Sequence, residues 1–109
     1  MNKTPLKTLL DLSGKTAIVT GGAVGIGFGI SYRLAEAGAN VIIADMHAEN
    51  AQKAKSELSA MGWAAEAITV DVSKEVDASR MVDAAVAVFG SVDILVNNAG
   101  IYPNILVMN

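Results

Sequence analysis

The residues of this chain best placed to do chemistry are glycines. Thr20-Gly21-Gly22-Ala23-Val24-Gly25-Ile26-Gly27 stands between a short apolar run, Thr16-Ala17-Ile18-Val19, and an amphipathic stretch in which Ile26, Ile30, Leu34 and Ala37 recur every three or four positions. A β-rich run, a tight turn and a helical period in that order put the glycines at a helix N-terminus. There the first backbone N–H groups lack helical partners and the helix dipole presents its positive end, so the turn can hold an anion. Glycine lets the chain turn sharply and lets a pyrophosphate approach the backbone without meeting a Cβ. Gly21, Val24, Gly25, Ile26 and Gly27 are therefore the candidate phosphate-binding positions.

These residues need a scaffold, and the rest of the chain reads as one. Val41-Ile42-Ile43-Ala44, Ala67-Ile68-Thr69-Val70 and Val92 to Val96 are further short apolar runs, too short for helices, followed by Asp45, by Asp71-Val72 and by Asn97-Asn98-Ala99-Gly100. The first helix is expected to end near Gly38. From Ala48 to Met61, Ala51, Ala54, Leu58 and Met61 share a helical face, closed by Gly62. Ser73 is suited to N-cap a third helix, with Glu75 and Asp77 in its first turn, Val82, Ala85, Val86 and Phe89 on one face, and a stop at Gly90. Strand and helix thus alternate, which implies parallel strands, right-handed crossovers and helices on both faces. The fold class is α/β: a Rossmann-type doubly wound parallel sheet, incomplete, with about four strands and three helices. Residues 1–12 read as a leader that lays leucines on the body, and 13–109 as a partial dinucleotide-binding domain. Ile101 to Asn109, with Pro103 and no periodicity, is expected to be loop or the approach to another helix.

Ligands of such sheets sit at the carboxyl ends of the strands. Asp45 lies 20 residues after Gly25, and an acidic residue about 20 positions past a phosphate turn accepts hydrogen bonds from an adenosine ribose. A carboxylate there repels a 2′-phosphate, and neither Met46 nor the turn supplies an Arg to neutralise one, so NAD is expected over NADP. Asp71 can accept from an adenine amino group while Val72 packs on the ring, or it can cap the next helix. Asn98 and the backbone of Ala99 and Gly100 would lie under the middle of the cofactor, although Asn97-Asn98 also suits a plain turn. His47, the sole histidine, is expected to face solvent without a role, and Trp63 and Phe89 to serve packing.

The composition narrows the partners. Of 109 residues 52% are apolar and 17% charged, which is enough to bury a core. A net charge of −3 without a basic cluster gives no electrostatic footprint for nucleic acid or an anionic membrane. The chain has no cysteine, which excludes disulfides and thiolate chemistry and fits the cytoplasm. Lys3, Lys7 and Asp11 interrupt Met1 to Leu12, so it lacks a signal-peptide core. The uncharged run over 16–32 is 17 residues long, but it holds the glycine turn between a strand and a helix and is not a membrane span of roughly 18 apolar residues. A cytoplasmic protein with neither nucleic-acid nor membrane partner is expected.

With these motifs in this order, the chain resembles the N-terminal, cofactor-binding part of a short-chain dehydrogenase/reductase. The resemblance rests on Thr-Gly-x-x-x-Gly-x-Gly as Thr20 to Gly27, the acidic Asp45, Asp71-Val72, and Asn-Asn-Ala-Gly as Asn97 to Gly100, and runs from about Leu12 onward. Ile30, three positions after Gly27, separates the turn from the general G-x-G-x-x-G fingerprint. The resemblance implies NAD as cofactor and hydride transfer between nicotinamide and a small-molecule alcohol or carbonyl substrate. It also implies a catalytic Tyr-x-x-x-Lys with an upstream Ser and an Asn. Tyr32 is followed at that spacing by Glu36 and Tyr102 by Leu106, so no catalytic residue is assigned here. The chain is expected to be the cofactor-binding half of an NAD-dependent oxidoreductase, inactive alone. The alternatives are an NAD-binding module or truncated product without activity, and a subunit completed by another chain. Without later strands, Val92 to Val96 has an open apolar edge, so a homo-oligomer or self-association through it is expected.

Overall fold

The computed structural model describes residues 11–98 and 104–107. Its elements follow the expected alternation: β1 (Thr16–Thr20), α1 (Gly25–Glu36), β2 (Asn40–Asp45), α2 (Ala48–Ala60), β3 (Ala65–Thr69), α3 (Glu75–Phe89), β4 (Ile94–Asn97) and β5 (Asn104–Val107). The sheet order is β3-β2-β1-β4-β5. β1 to β4 pair in parallel, with Ile18 opposite both Ile42 and Leu95, and β5 joins β4 antiparallel.

The two central strands are nearly continuous apolar runs because both of their faces are covered. Successive side chains point to opposite faces of a strand. Ala17, Val19, Val41 and Ile43 accordingly meet Ala35 of α1 and Ala51, Ala54 and Leu58 of α2 on one face. Ile18, Ile42 and Ala44 meet Met81 and Ala85 of α3 on the other. The sheet is therefore a doubly wound, Rossmann-like α/β arrangement.

Several expectations are corrected. Ile26 is 74% exposed, since it lies in the first turn of α1, beyond the strand ends. The residues of α1 that are fully buried are instead the small ones, Gly27, Ser31 and Ala35, which let the helix approach the sheet closely; Ile30 and Leu34 flank them half-buried. Met61 is exposed because α2 ends at Ala60. On α3, Met81 and Ala85 are buried and Phe89 packs beside them, whereas Val82 and Val86 face outward. The N-cap of α3 is Lys74, and Ser73 instead donates its hydroxyl to Asp71 Oδ1 at 2.6 Å. Within Ile101 to Asn109, expected as loop or the approach to another helix, residues 104–107 form β5. The outer edge of β4 is thus hydrogen-bonded, not open as expected, and self-association through that edge loses its basis. Of the leader, Leu12 packs against the first core and donates its N–H to Ala37 O at 2.7 Å; residues 1–10 lie outside the described residues.

The end of the sheet opposite the glycine turn is fastened by Asp93. Its carboxylate accepts the Thr16 N–H at 2.9 Å and the Ser91 hydroxyl at 3.0 Å, and its own N–H donates to Thr16 O at 2.9 Å. The Thr16 amide first, then the Ser91 hydroxyl, holds the Asp93 carboxyl below its ordinary value. The Asp71 N–H does the same to Asp77, and the Ser73 hydroxyl and amide to Asp71. In all three the folded pKa is depressed, so their contribution to stability is full above the ordinary carboxylate value of 3.8 and is lost as pH falls through the folded values. Urea midpoints are expected to fall between about pH 5 and about pH 2, and Asp93→Asn to shrink that fall. An identical acid profile for the variant would contradict this assignment.

Candidate functional site

The chain reverses direction across the sheet between β1 and β4. The crossover after β1 runs over one face and that before β4 over the other, which opens a crevice at their carboxyl ends. The glycine turn occupies this point. Gly21 and Gly25 have φ of 62° and 58°, where a side chain is strained. A Cβ on Gly22 would sit 2.8 Å from Val19 O, and one on Gly27 would run into Gly21 O and lie 2.7 Å from Asn98 Nδ2. The backbone is thus packed against itself as tightly as glycine allows.

What the turn leaves open is the start of α1. Its N-cap, Val24, is extended at φ −138° and ψ 160°, no side chain caps the helix, and its first turn holds no acidic residue. Gly25 and Ile26 are exposed. Backbone donors and the positive end of the helix dipole therefore face the crevice with no carboxylate of the helix's own first turn beside them.

Three side chains fix this geometry. The Thr20 hydroxyl, at the end of β1, accepts the Asn98 N–H at 2.9 Å and lies 3.3 Å from Val96 O and 3.2 Å from Asn97 Oδ1 as donor. Asn98 donates its side-chain amide to Gly21 O at 3.4 Å, which ties the end of β4 to the turn. Ser31, fully buried on α1, shares its hydroxyl hydrogen between Gly22 O at 3.1 Å and Gly27 O at 3.0 Å. The sequence alone singles out neither Thr20 nor Ser31 as a site residue. The available signal for Ser31 was a small polar residue one helical turn past Gly27.

Asp45 closes the far side. Its Oδ2 accepts the Ala23 N–H at 3.3 Å and its Oδ1 the His47 N–H at 3.0 Å, so the carboxylate braces the glycine turn against β2. The His47 imidazole stands beside it, Nδ1 to Oδ1 3.5 Å. Asp71 is not the N-cap of α3, which is Lys74, and instead shapes a turn: its Oδ1 accepts both the Ser73 N–H at 3.0 Å and the Ser73 hydroxyl. Val72 beside it is exposed. The structure thus gathers Gly21, Val24, Gly25, Ile26, Gly27, Asp45 and Asn98 around the crevice, while Ala99 and Gly100 lie outside the described residues. A groove of about 220 Å³ lies between the turn and α2, lined by Val24, Gly25, Phe28, Asn50, Lys53 and Glu57 among others. Among the described residues no cluster suited to a metal occurs, and no helix is long and apolar enough to cross a membrane.

Against known proteins, the family model for short chain dehydrogenase matches residues 15–108. The chain belongs to the short chain dehydrogenase family. It is 48% identical over 95 residues to 3beta-hydroxysteroid dehydrogenase 2 of Eggerthella lenta, a match covering 87% of this chain and 36% of that protein. It is 50% identical over 91 residues to a 4-formylbenzenesulfonate dehydrogenase of Comamonas testosteroni, covering 84% of this chain and 36% of that one. The crystal structure of hydroxysteroid dehydrogenase from Escherichia coli superposes with a TM-score of 0.81 at 43% identity, covering 84% of this chain and 37% of the other. This short chain dehydrogenase chain therefore spans about 36% of the length of the curated relatives it matches. Its uncapped α1 and switch-point turn fall inside the matched region.

Proposed function

We propose that this chain binds NAD(H) at the glycine turn and is the cofactor-binding half of an oxidoreductase acting on a small-molecule alcohol or carbonyl compound. The observation that carries this reading is the N-terminus of α1, left without a side-chain cap at the point where the sheet reverses, with Asp45 at its flank. In this reading the amides of Gly25, Ile26 and Gly27 hold the pyrophosphate, and Gly22 and Gly27 keep the backbone clear of Cβ atoms. Asp45 accepts from the adenosine ribose through lone pairs its two backbone donors leave over. Val72 offers its exposed face to the adenine, with Asp71 shaping the turn that presents it. Asn98, fastened to Thr20 and Gly21, floors the middle of the site.

The bound nicotinamide supplies a hydride donor or acceptor. Tyr32 lies inside α1 against Trp63, ring centroids 5.0 Å apart, and so takes no part in proton transfer. The relatives named for a hydroxysteroid and for 4-formylbenzenesulfonate match this half about equally well, so the reading commits to alcohol or carbonyl chemistry and no narrower substrate.

Calorimetric titration of the 109-residue chain is expected to give saturable binding of NAD⁺, tighter than that of NADP⁺, and assays with alcohols and NAD⁺ to give no turnover. Absence of dinucleotide binding would overturn the reading. Binding without turnover by every longer form of the protein would favour the second reading, a nucleotide-binding module.

A further inference from the structure

One peptide of the glycine turn is held from both sides. The Gly22 carbonyl accepts the hydroxyl of the fully buried Ser31 at 3.1 Å, and among the described residues no backbone N–H reaches it. The N–H of the same peptide, on Ala23, donates to Asp45 Oδ2 at 3.3 Å. The carbonyl and the N–H of a trans peptide point in opposite directions. Ser31 of α1 and Asp45 of β2 therefore clamp a single peptide plane between them.

A serine inside a helix ordinarily gives its hydroxyl to the carbonyl four residues back. Ser31 does so at Gly27 O, 3.0 Å away, but the same hydroxyl also reaches Gly22 O, nine residues back and outside the helix. Gly27 O lies within α1, where the helical ladder supplies a donor of its own. Gly22 O has no such substitute.

We infer that Ser31 is a positioning residue of the anion site, keeping the Gly22 carbonyl turned into the protein and away from the crevice. The inference rests on the dinucleotide reading above. Without the hydroxyl the buried carbonyl lacks a donor, which is costly. Glycine at position 22 leaves the peptide free to rotate in relief. Rotation strips the Ala23 N–H from Asp45 and swings the carbonyl oxygen toward the Asp45 side of the crevice. There the negative end of its dipole opposes an anionic ligand.

The test compares the 109-residue wild type, Ser31→Ala and Ile18→Val by calorimetric titration with NAD⁺, amide hydrogen exchange and thermal melts. Ile18 is fully buried against α3, on the face of the sheet away from α1, so trimming it weakens the core but not the clamp. In Ser31→Ala, NAD⁺ binding is expected to weaken about fivefold, the worth of one net hydrogen bond. The Ala23 amide should exchange about fivefold faster relative to the Val41 amide, which donates to Ala64 O at 3.0 Å. The Ser31 hydroxyl bonds Gly22 O and Gly27 O and not the Ala23 N–H, so rotation of the shared peptide is what carries the effect to Ala23. Melting should change little, because alanine is the better helix former and offsets part of the lost bond. Ile18→Val should melt lower, keep its NAD⁺ affinity and quicken the Ala23 and Val41 amides alike.

Unchanged Ala23 exchange in Ser31→Ala, or faster exchange there with NAD⁺ affinity intact, would overturn the inference while leaving dinucleotide binding in place. Equal losses of affinity in Ser31→Ala and Ile18→Val would overturn it as well, since stability alone would then explain both. Failure of all three proteins to bind NAD⁺ would overturn the functional reading itself, and the inference with it.

Discussion

Gly27→Ala is expected to abolish dinucleotide binding and to destabilise the fold by about 1–3 kcal/mol, a drop in melting temperature on the order of 5–15 °C. The new Cβ would run into Gly21 O and lie 2.7 Å from Asn98 Nδ2. Neither neighbour is free to move. Gly21 O belongs to the turn, and Asn98 is held by its N–H to Thr20 and by its side-chain amide to that same carbonyl. Relief of the clash must push α1 away from β1 and disperse the amides that form the anion site. The sign of the effect is not trivial, because alanine in place of glycine inside a helix ordinarily gains about 1 kcal/mol. Gly29 supplies the control: it is exposed on the same helix, and a Cβ there meets nothing within 4 Å. Thermal melts should move in opposite directions, Gly29→Ala upward and Gly27→Ala downward. A rise in both would show that the turn has room the geometry denies it.

Asp45→Ala is expected to lower NAD⁺ affinity by at least about tenfold, the worth of a hydrogen bond to a charged group, and to narrow the gap to NADP⁺. The carboxylate also braces the turn, so its removal strands the Ala23 and His47 amides at a cost of about 1–3 kcal/mol in stability. The loosened turn would weaken both dinucleotides alike. The ratio of the two affinities therefore isolates the charge from the scaffold, and an unchanged ratio in calorimetric titrations would remove Asp45 from the ribose site.

Much of this arrangement was legible in the sequence because the signals were local. β1 and β2 are buried on both faces, so their apolar runs are unbroken, and the residues that follow them fall at the strand ends wherever the exact boundary lies. The helix faces were less legible. A period of three or four picks out Ile26 and Ile30 as readily as Gly27 and Ser31, and only close approach to the sheet favours the smaller pair. Val82 and Val86 mislead for a related reason, since Met81 and Ala85, one position before each, are the residues turned to the sheet. β5 gave no signal, because its four residues acquire their pattern from pairing with β4. The hydroxyl of Ser31 depends on a contact to Gly22, on a separate stretch of chain, that spacing alone does not reveal.

The central claim is that the open N-terminus of α1 is where the dinucleotide sits. Amide-resolved NMR during titration with NAD⁺ tests it most directly. The largest, saturable shifts are expected at Gly21, Gly25, Ile26 and Gly27, with smaller ones at His47, Val72 and Asn98. Shifts confined to Asn50, Lys53 and Glu57 in the groove on α2, or none at all at millimolar NAD⁺, would contradict it.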